Sequence, residues 1–135
     1  MHRTQMRTGF GFLVALALLL AGCSSGPEGT YPVSGTVTFN GEALPEGNII
    51  FSAADGTGVP AAGEIRNGKF RLHVTPGKKT VAILATREFG EVDAVMGARQ
   101  REMYIPKRYN DETTLTADVT PGGKNRFEFP LSDAQ

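Results

Sequence analysis

The chain has 135 residues, enough for one domain with its own hydrophobic core, and its 14 basic and 14 acidic residues leave no net charge. That balance excludes the basic surplus of a nucleic-acid binder and gives no broad electrostatic pull toward anionic membranes. A single cysteine excludes an internal disulfide, and 17 glycines and eight prolines without a period point to many turns rather than to collagen or disorder.

Residues 1–22 read as a leader. Arg3 and Arg7 form a positive start, and Phe10 to Leu20 is an apolar run. From Phe10 to Gly22 there are 13 residues, about 20 Å of helix against a hydrocarbon core of about 30 Å. That is short for a permanent span and fits a removable signal peptide. Without the leader, 12 basic residues face 14 acidic ones over 113 residues.

Leu20-Ala21-Gly22-Cys23 resembles the lipobox of bacterial lipoproteins. The resemblance implies cleavage between Gly22 and Cys23, a diacylglyceryl group on the Cys23 sulfur, and a further acyl chain (such as palmitate) on the new amino terminus. Two or more chains make such an attachment stable, at about 0.8 kcal/mol per buried CH₂. Ser24, rather than Asp, follows the cysteine; by the same resemblance this favours the outer membrane where one exists, and otherwise the outer leaflet of the only membrane. Residues 23–30 are then the lipidated Cys23 and a short polar linker. Its seven residues after Cys23 reach at most about 25 Å.

From Tyr31 to residue 135 the apolar period is two. Val33, Gly35, Val37 and Phe39 share a face of the first predicted strand, and Asn40-Gly41 marks a turn. Leu44-Pro45-Glu46-Gly47 reads as a type I turn. Asn48–Phe51 is a second strand, residues 52–60 a loop and Ala61–Ile65 a weak third strand. Asn67-Gly68 is a two-residue hairpin signal, because a type I′ turn needs positive φ at both positions. Phe70, Leu72 and Val74 alternate with polar residues in a fourth strand. Thr75-Pro76-Gly77-Lys78 suits a type II turn before Val81–Ala85, a strand apolar on both faces. Leu115, Ala117 and Val119 form a sixth strand, Thr120-Pro121-Gly122-Gly123 another turn, and Phe127, Phe129 and Leu131 the last inward face. Seven strands, frequent turns and no helix predict an all-β, two-sheet sandwich.

The opening Pro32–Phe51 and the stretch Val74–Ile83 resemble carboxypeptidase regulatory-like domains, which implies a seven-stranded prealbumin-like (transthyretin-like, Greek-key) β-sandwich. Together with the lipobox and Tyr104–Asp111, the chain is similar to small lipoproteins of planctomycetes. The resemblance covers residues 31–131 and carries no biochemical role with it.

Catalytic and metal chemistry find little support. Zinc wants three or four His, Cys or carboxylate ligands, and after the leader there is one histidine, His73. No Gly-x-Ser-x-Gly elbow and no phosphate-cradling Gly-x-x-x-x-Gly-Lys-Ser/Thr occurs. Asp55-Gly-Thr-Gly58 lacks the ligand spacing of a calcium loop and reads as a turn. The histidines and Tyr-Arg-Gly-Ser terminus of hydroxyisourate hydrolases, which share the prealbumin fold, are missing. No cofactor is implied.

The segment from Arg87 to Thr113 is the best functional candidate, since unstructured loops of such length are uncommon unless functional. Its candidate binding residues are Arg99, Arg101, Tyr104, Lys107, Arg108 and Tyr109, because aromatic and Arg side chains anchor binding surfaces. The alternative is that Tyr104, Ile105 and Pro106 cover one end of the sandwich; an apolar stem and exposed basic tips are compatible. The expected function is a non-catalytic, membrane-anchored module that binds or spaces envelope proteins or glycans. The alternatives are a small-ligand or carbohydrate binder, then a hydrolase.

Overall fold

The computed structural model describes residues 26–135; the leader, the cleavage site at Gly22 and Cys23, and Ser24 lie outside the described residues. The strands are β1 (Tyr31–Phe39), β2 (Glu42–Ala43), β3 (Glu46–Ala53), β4 (Ala61–Arg66), β5 (Lys69–Val74), β6 (Gly77–Leu84), β7 (Thr86–Phe89), β8 (Gln100–Met103), β9 (Thr116–Val119) and β10 (Arg126–Leu131), with a 3-10 turn at Lys107–Tyr109. The fold is all-β, and every strand predicted from the period of two is present. Three short strands are added: β2, β7 and β8.

Hydrogen bonding runs without a break through an eight-stranded sheet in the order β10-β1-β5-β4-β3-β6-β9, with β2 on β1. All neighbours are antiparallel except β1 and β10, which pair in parallel from Ser34↔Arg126 to Phe39↔Leu131. The two halves are therefore one sheet, not two separately bonded ones, and that sheet is folded over. Four strand spacings separate β10 from β3, roughly 19 Å if flat. Yet the rings of Phe51 on β3 and Phe127 on β10 lie 6.3 Å apart.

The fold line is the β4–β5 hairpin. β4 makes six residue pairs with β3 but only Ile65↔Phe70 and Arg66↔Lys69 with β5. One layer is thus β10-β1-β5 and the other β4-β3-β6-β9. Asn67 (φ 50°) and Gly68 (φ 73°) form the expected type I′ turn. A Cβ at Gly68 would lie 2.8 Å from the Cβ of Ala43 and 3.0 Å from the Val37 carbonyl. Between the layers Val33, Val37, Ile49, Phe51, Val81 and Ile83 are fully or almost fully buried.

Two local expectations change, and the linker gains a turn at its end. Leu44-Pro45 is extended instead of turning: the Leu44 and Pro45 carbonyls accept from Gly68 N (2.7 Å) and Asn67 N (2.8 Å). A residue before proline is driven to extended backbone, and the reversal has already been made at Asn40-Gly41. The strand at Val81–Ala85 is buried on one face only, while Ala82 and Leu84 on the other are half-buried. The linker's end is folded, not extended: Thr30 donates through N (3.1 Å) to the Pro27 carbonyl. That turn lays Gly26 against the ring of His73, where a Cβ on Gly26 would come within 2.2 Å of the imidazole.

Candidate functional site

The long segment after β6 is not a loose loop. β6 continues through buried Ala85 into β7, the chain reverses, and β8 returns to Tyr104 and buried Ile105. β7 and β8 pair only with each other, from Thr86↔Met103 to Phe89↔Gln100, as a two-stranded arm outside the main sheet. Its two faces each carry a cross-strand ion pair: Arg87–Glu102 at 2.7 Å and Arg101–Glu88 at 3.5 Å. Such opposed charges substitute for the apolar face that a two-stranded ribbon lacks. At its base the Ala85 carbonyl accepts from Tyr104 N at 3.3 Å.

The tip, residues 90–99, is ordered by one carboxylate. Asp93 Oδ1 accepts from Val95 N and Met96 N, both at 2.8 Å. The Asp93 carbonyl accepts from Gly97 N at 2.8 Å, and its own N–H donates to the Ala98 carbonyl at 3.0 Å. The two side-chain hydrogen bonds, Met96 first, hold the Asp93 carboxyl below its ordinary pKa of 3.8. With its polar groups satisfied inward, the turn thrusts apolar side chains out: Val95 is 95% exposed, Met96 80% and Val92 57%.

The six candidate binding residues separate into two groups. Tyr104, Arg108 and Tyr109 are structural. Tyr104 packs edge-on against Phe39 with centroids 5.6 Å apart, under the Arg87 guanidinium; burial pushes its hydroxyl above the usual pKa and Arg87 opposes this. Arg108 lies over the Tyr109 ring at 4.9 Å and donates to the Ser132 carbonyl and to the Ala134 carbonyl at 2.6 Å. The Tyr109 hydroxyl accepts from Ser132 N at 3.1 Å, and the Arg108 guanidinium lowers its pKa. These two residues fasten the C-terminal end to the body. Arg99, Arg101 and Lys107 are exposed, and only Arg101 borders a concavity.

That concavity, of about 670 Å³, lies between the arm and the outer face of β3 and β4. Glu46, Glu64, Arg66 and Arg101 supply its charges, Leu84 and Met103 its apolar wall. Asn110, which sequence reasoning did not single out, is buried and turns its amide toward the carbonyls of Ile83 (3.4 Å), Ile105 (3.3 Å) and Pro106 (3.2 Å). It ties the return of the arm to β6. The exposed tip was also missed as a unit, although Asp93 four residues before Gly97 is the turn chemistry that marks it.

His73 sits on the outer face of β5 against Gly26, and among the described residues no group of three His, Cys, Asp or Glu side chains gathers. Asp55 accepts from Thr57 N (3.0 Å) and Thr57 Oγ1 (2.7 Å), as a turn residue does. In comparisons with family models, curated proteins and solved structures, nothing matches this chain.

Proposed function

We propose that the chain is a lipid-anchored, non-catalytic module of the cell envelope that docks another envelope protein through the tip of its β7–β8 arm. The observation that carries this reading is the Asp93-ordered turn, which holds Val95 and Met96 in solvent at the end of the paired β7–β8 stem. Exposed apolar side chains of this size, prepaid in conformational entropy, are suited to fill a pocket on a partner. Anchorage rests on the lipobox resemblance of Leu20–Cys23, and a prealbumin-like module of the carboxypeptidase regulatory type fits the two-layer body.

The test uses the full, lipidated protein in its own envelope with a photo-crosslinking residue at Val92. A discrete adduct that disappears in Val95→Asp/Met96→Asp, with circular dichroism unchanged, is the expected result. An adduct pattern indifferent to those substitutions refutes the docking. Intact mass and detergent-phase partitioning of the mature protein test the anchor separately: a free Cys23 thiol in the aqueous phase refutes it.

A second reading places a small polar ligand or saccharide in the concavity under the arm, whose volume suits one. A saturable thermal shift abolished by Arg101→Ala would support it, and a flat response would remove it.

A further inference from the structure

The mature chain carries more acidic than basic residues, yet its charge is unevenly laid out. The outer face of the β10-β1-β5 layer is set by alternation: Val33, Phe70, Leu72 and Phe129 turn inward, so Ser34, Thr36, Lys69, Arg71, His73, Arg126 and Glu128 turn out. Register then puts Arg126 and Arg71 on either side of Ser34, and Glu128 and Lys69 on either side of Thr36. Lys69, Arg71 and Arg126 are exposed, and among the described residues none has an ion-pair partner. A depression of about 970 Å³ opens over the two small hydroxyl residues; Arg66, Lys69, Arg71 and Arg126 line it together with Glu64 and Glu128, leaving an excess of cations. The other layer's outer face mixes Glu46, Glu64, Arg66, Lys78 and Asp118 and has no such excess.

The tether leaves from this same cationic face. His73, opposite Pro32 and two residues beyond Arg71, carries Gly26 on its ring. Only Ser24 and Ser25 separate Gly26 from Cys23, a reach of about 10 Å. Arg71 lies roughly 7 Å along the strand from His73. Arg71 therefore stands at most about 17 Å, roughly two Debye lengths, from where the acyl chains enter the bilayer, and a slack link brings it closer.

We propose that the β10-β1-β5 face lies against the anchoring bilayer and that Arg71, Arg126 and Lys69 bind its anionic phospholipid headgroups. This inference rests on lipidation of Cys23 and adds to it an orientation: the sheet lies along the membrane instead of swinging on a free tether. Each such cation near an anionic surface is worth roughly a fivefold preference, and with Glu128 on the same face offsetting one of the three, the remaining two bias orientation by about 25-fold.

Ser34→Cys tests this directly, because with Cys23 acylated the new thiol is the only one to label. A fluorophore there, or through Thr116→Cys on the opposite layer, reports distance to an acceptor lipid in vesicles carrying the lipidated protein. In phosphatidylcholine with phosphatidylglycerol, the label at position 34 should transfer energy more strongly than the label at 116. Omitting phosphatidylglycerol, adding salt, or Arg71→Gln/Arg126→Gln should erase the difference. Equal transfer from the two labels in anionic vesicles, with the protein floating on them, overturns this inference alone. Protein that fails to float even on neutral vesicles overturns the anchor and this inference with it.

Discussion

Phe51→Ala is the sharpest test of the folded-over sheet. Phe51 is 1% exposed, and its ring meets Phe70 at 6.2 Å and Phe127 at 6.3 Å, both on the opposite layer. Truncation removes an entire buried aromatic side chain and leaves a cavity that neither layer can close without moving a strand. The expected cost is about 3–5 kcal/mol. For a body of this size, with total stability of about 5–15 kcal/mol, that is about a fifth or more of what holds it together. In urea unfolding, with a slope of about 1–3 kcal/mol/M, the midpoint should fall by roughly 2 M at unchanged slope. Ile50→Ala, one residue away on the half-buried outer face of β3, should cost less than half as much. Equal costs, or a loss below about 1 kcal/mol for Phe51→Ala, would mean that the layers do not meet at this ring.

Acid should loosen the arm's tip. The folded-state pKa of Asp93 lies below 3.8, so the turn's contribution is complete at neutral pH and fades only as pH falls through that depressed value; the Val95 and Met96 amide resonances should titrate with a midpoint under 3.8, and Asp93→Asn should abolish the transition. Gly68→Ala forces a side chain into positive φ and against Ala43 and the Val37 carbonyl, so it should destabilise by about 2 kcal/mol or more in the same urea assay. Arg108→Ala removes the donors to Ser132 and Ala134 and should cost about 1–2 kcal/mol with faster amide exchange at 132–134, whereas Lys107→Ala, exposed beside it, should change neither.

What the sequence made legible is what is local. Apolar patterning marked every strand of the main sheet except β2, because each of the others has a dry face, and Asn67-Gly68 and Pro76-Gly77 marked reversals because few residues accept positive φ. The β7–β8 arm gave no such signal: Thr86–Phe89 and Gln100–Met103 have two wet faces, so their pairing is written in opposed charges distant in sequence, Arg87 with Glu102 and Glu88 with Arg101, and not in alternating hydrophobicity. Asn110 and the parallel pairing of β1 with β10 depend on segments brought together only by the finished fold. The structure also parted residues that composition had grouped: Arg108 and Tyr109 serve the C-terminal end, while Arg99 and Arg101 belong to the arm.

The path of β1 joins the two proposals. The tether meets the body beside Tyr31 and Pro32, at one end of β1, while Phe39 at the other end carries Tyr104 and the base of the arm. Nine strand residues lie between, about 30 Å of backbone at roughly 3.3 Å per residue. β1 pairs on both sides, with β5 and with β10, and so fixes that separation. A body free to pivot on Ser24 and Ser25 would sweep the tip through a wide shell. A body held by its cationic face keeps the tip at one height above the lipid. Arg71→Gln/Arg126→Gln should then weaken crosslinking from Val92 even though both substitutions lie at the far end of the sheet from the arm. Unchanged crosslinking in that variant would show that docking by the tip does not depend on how the body is held.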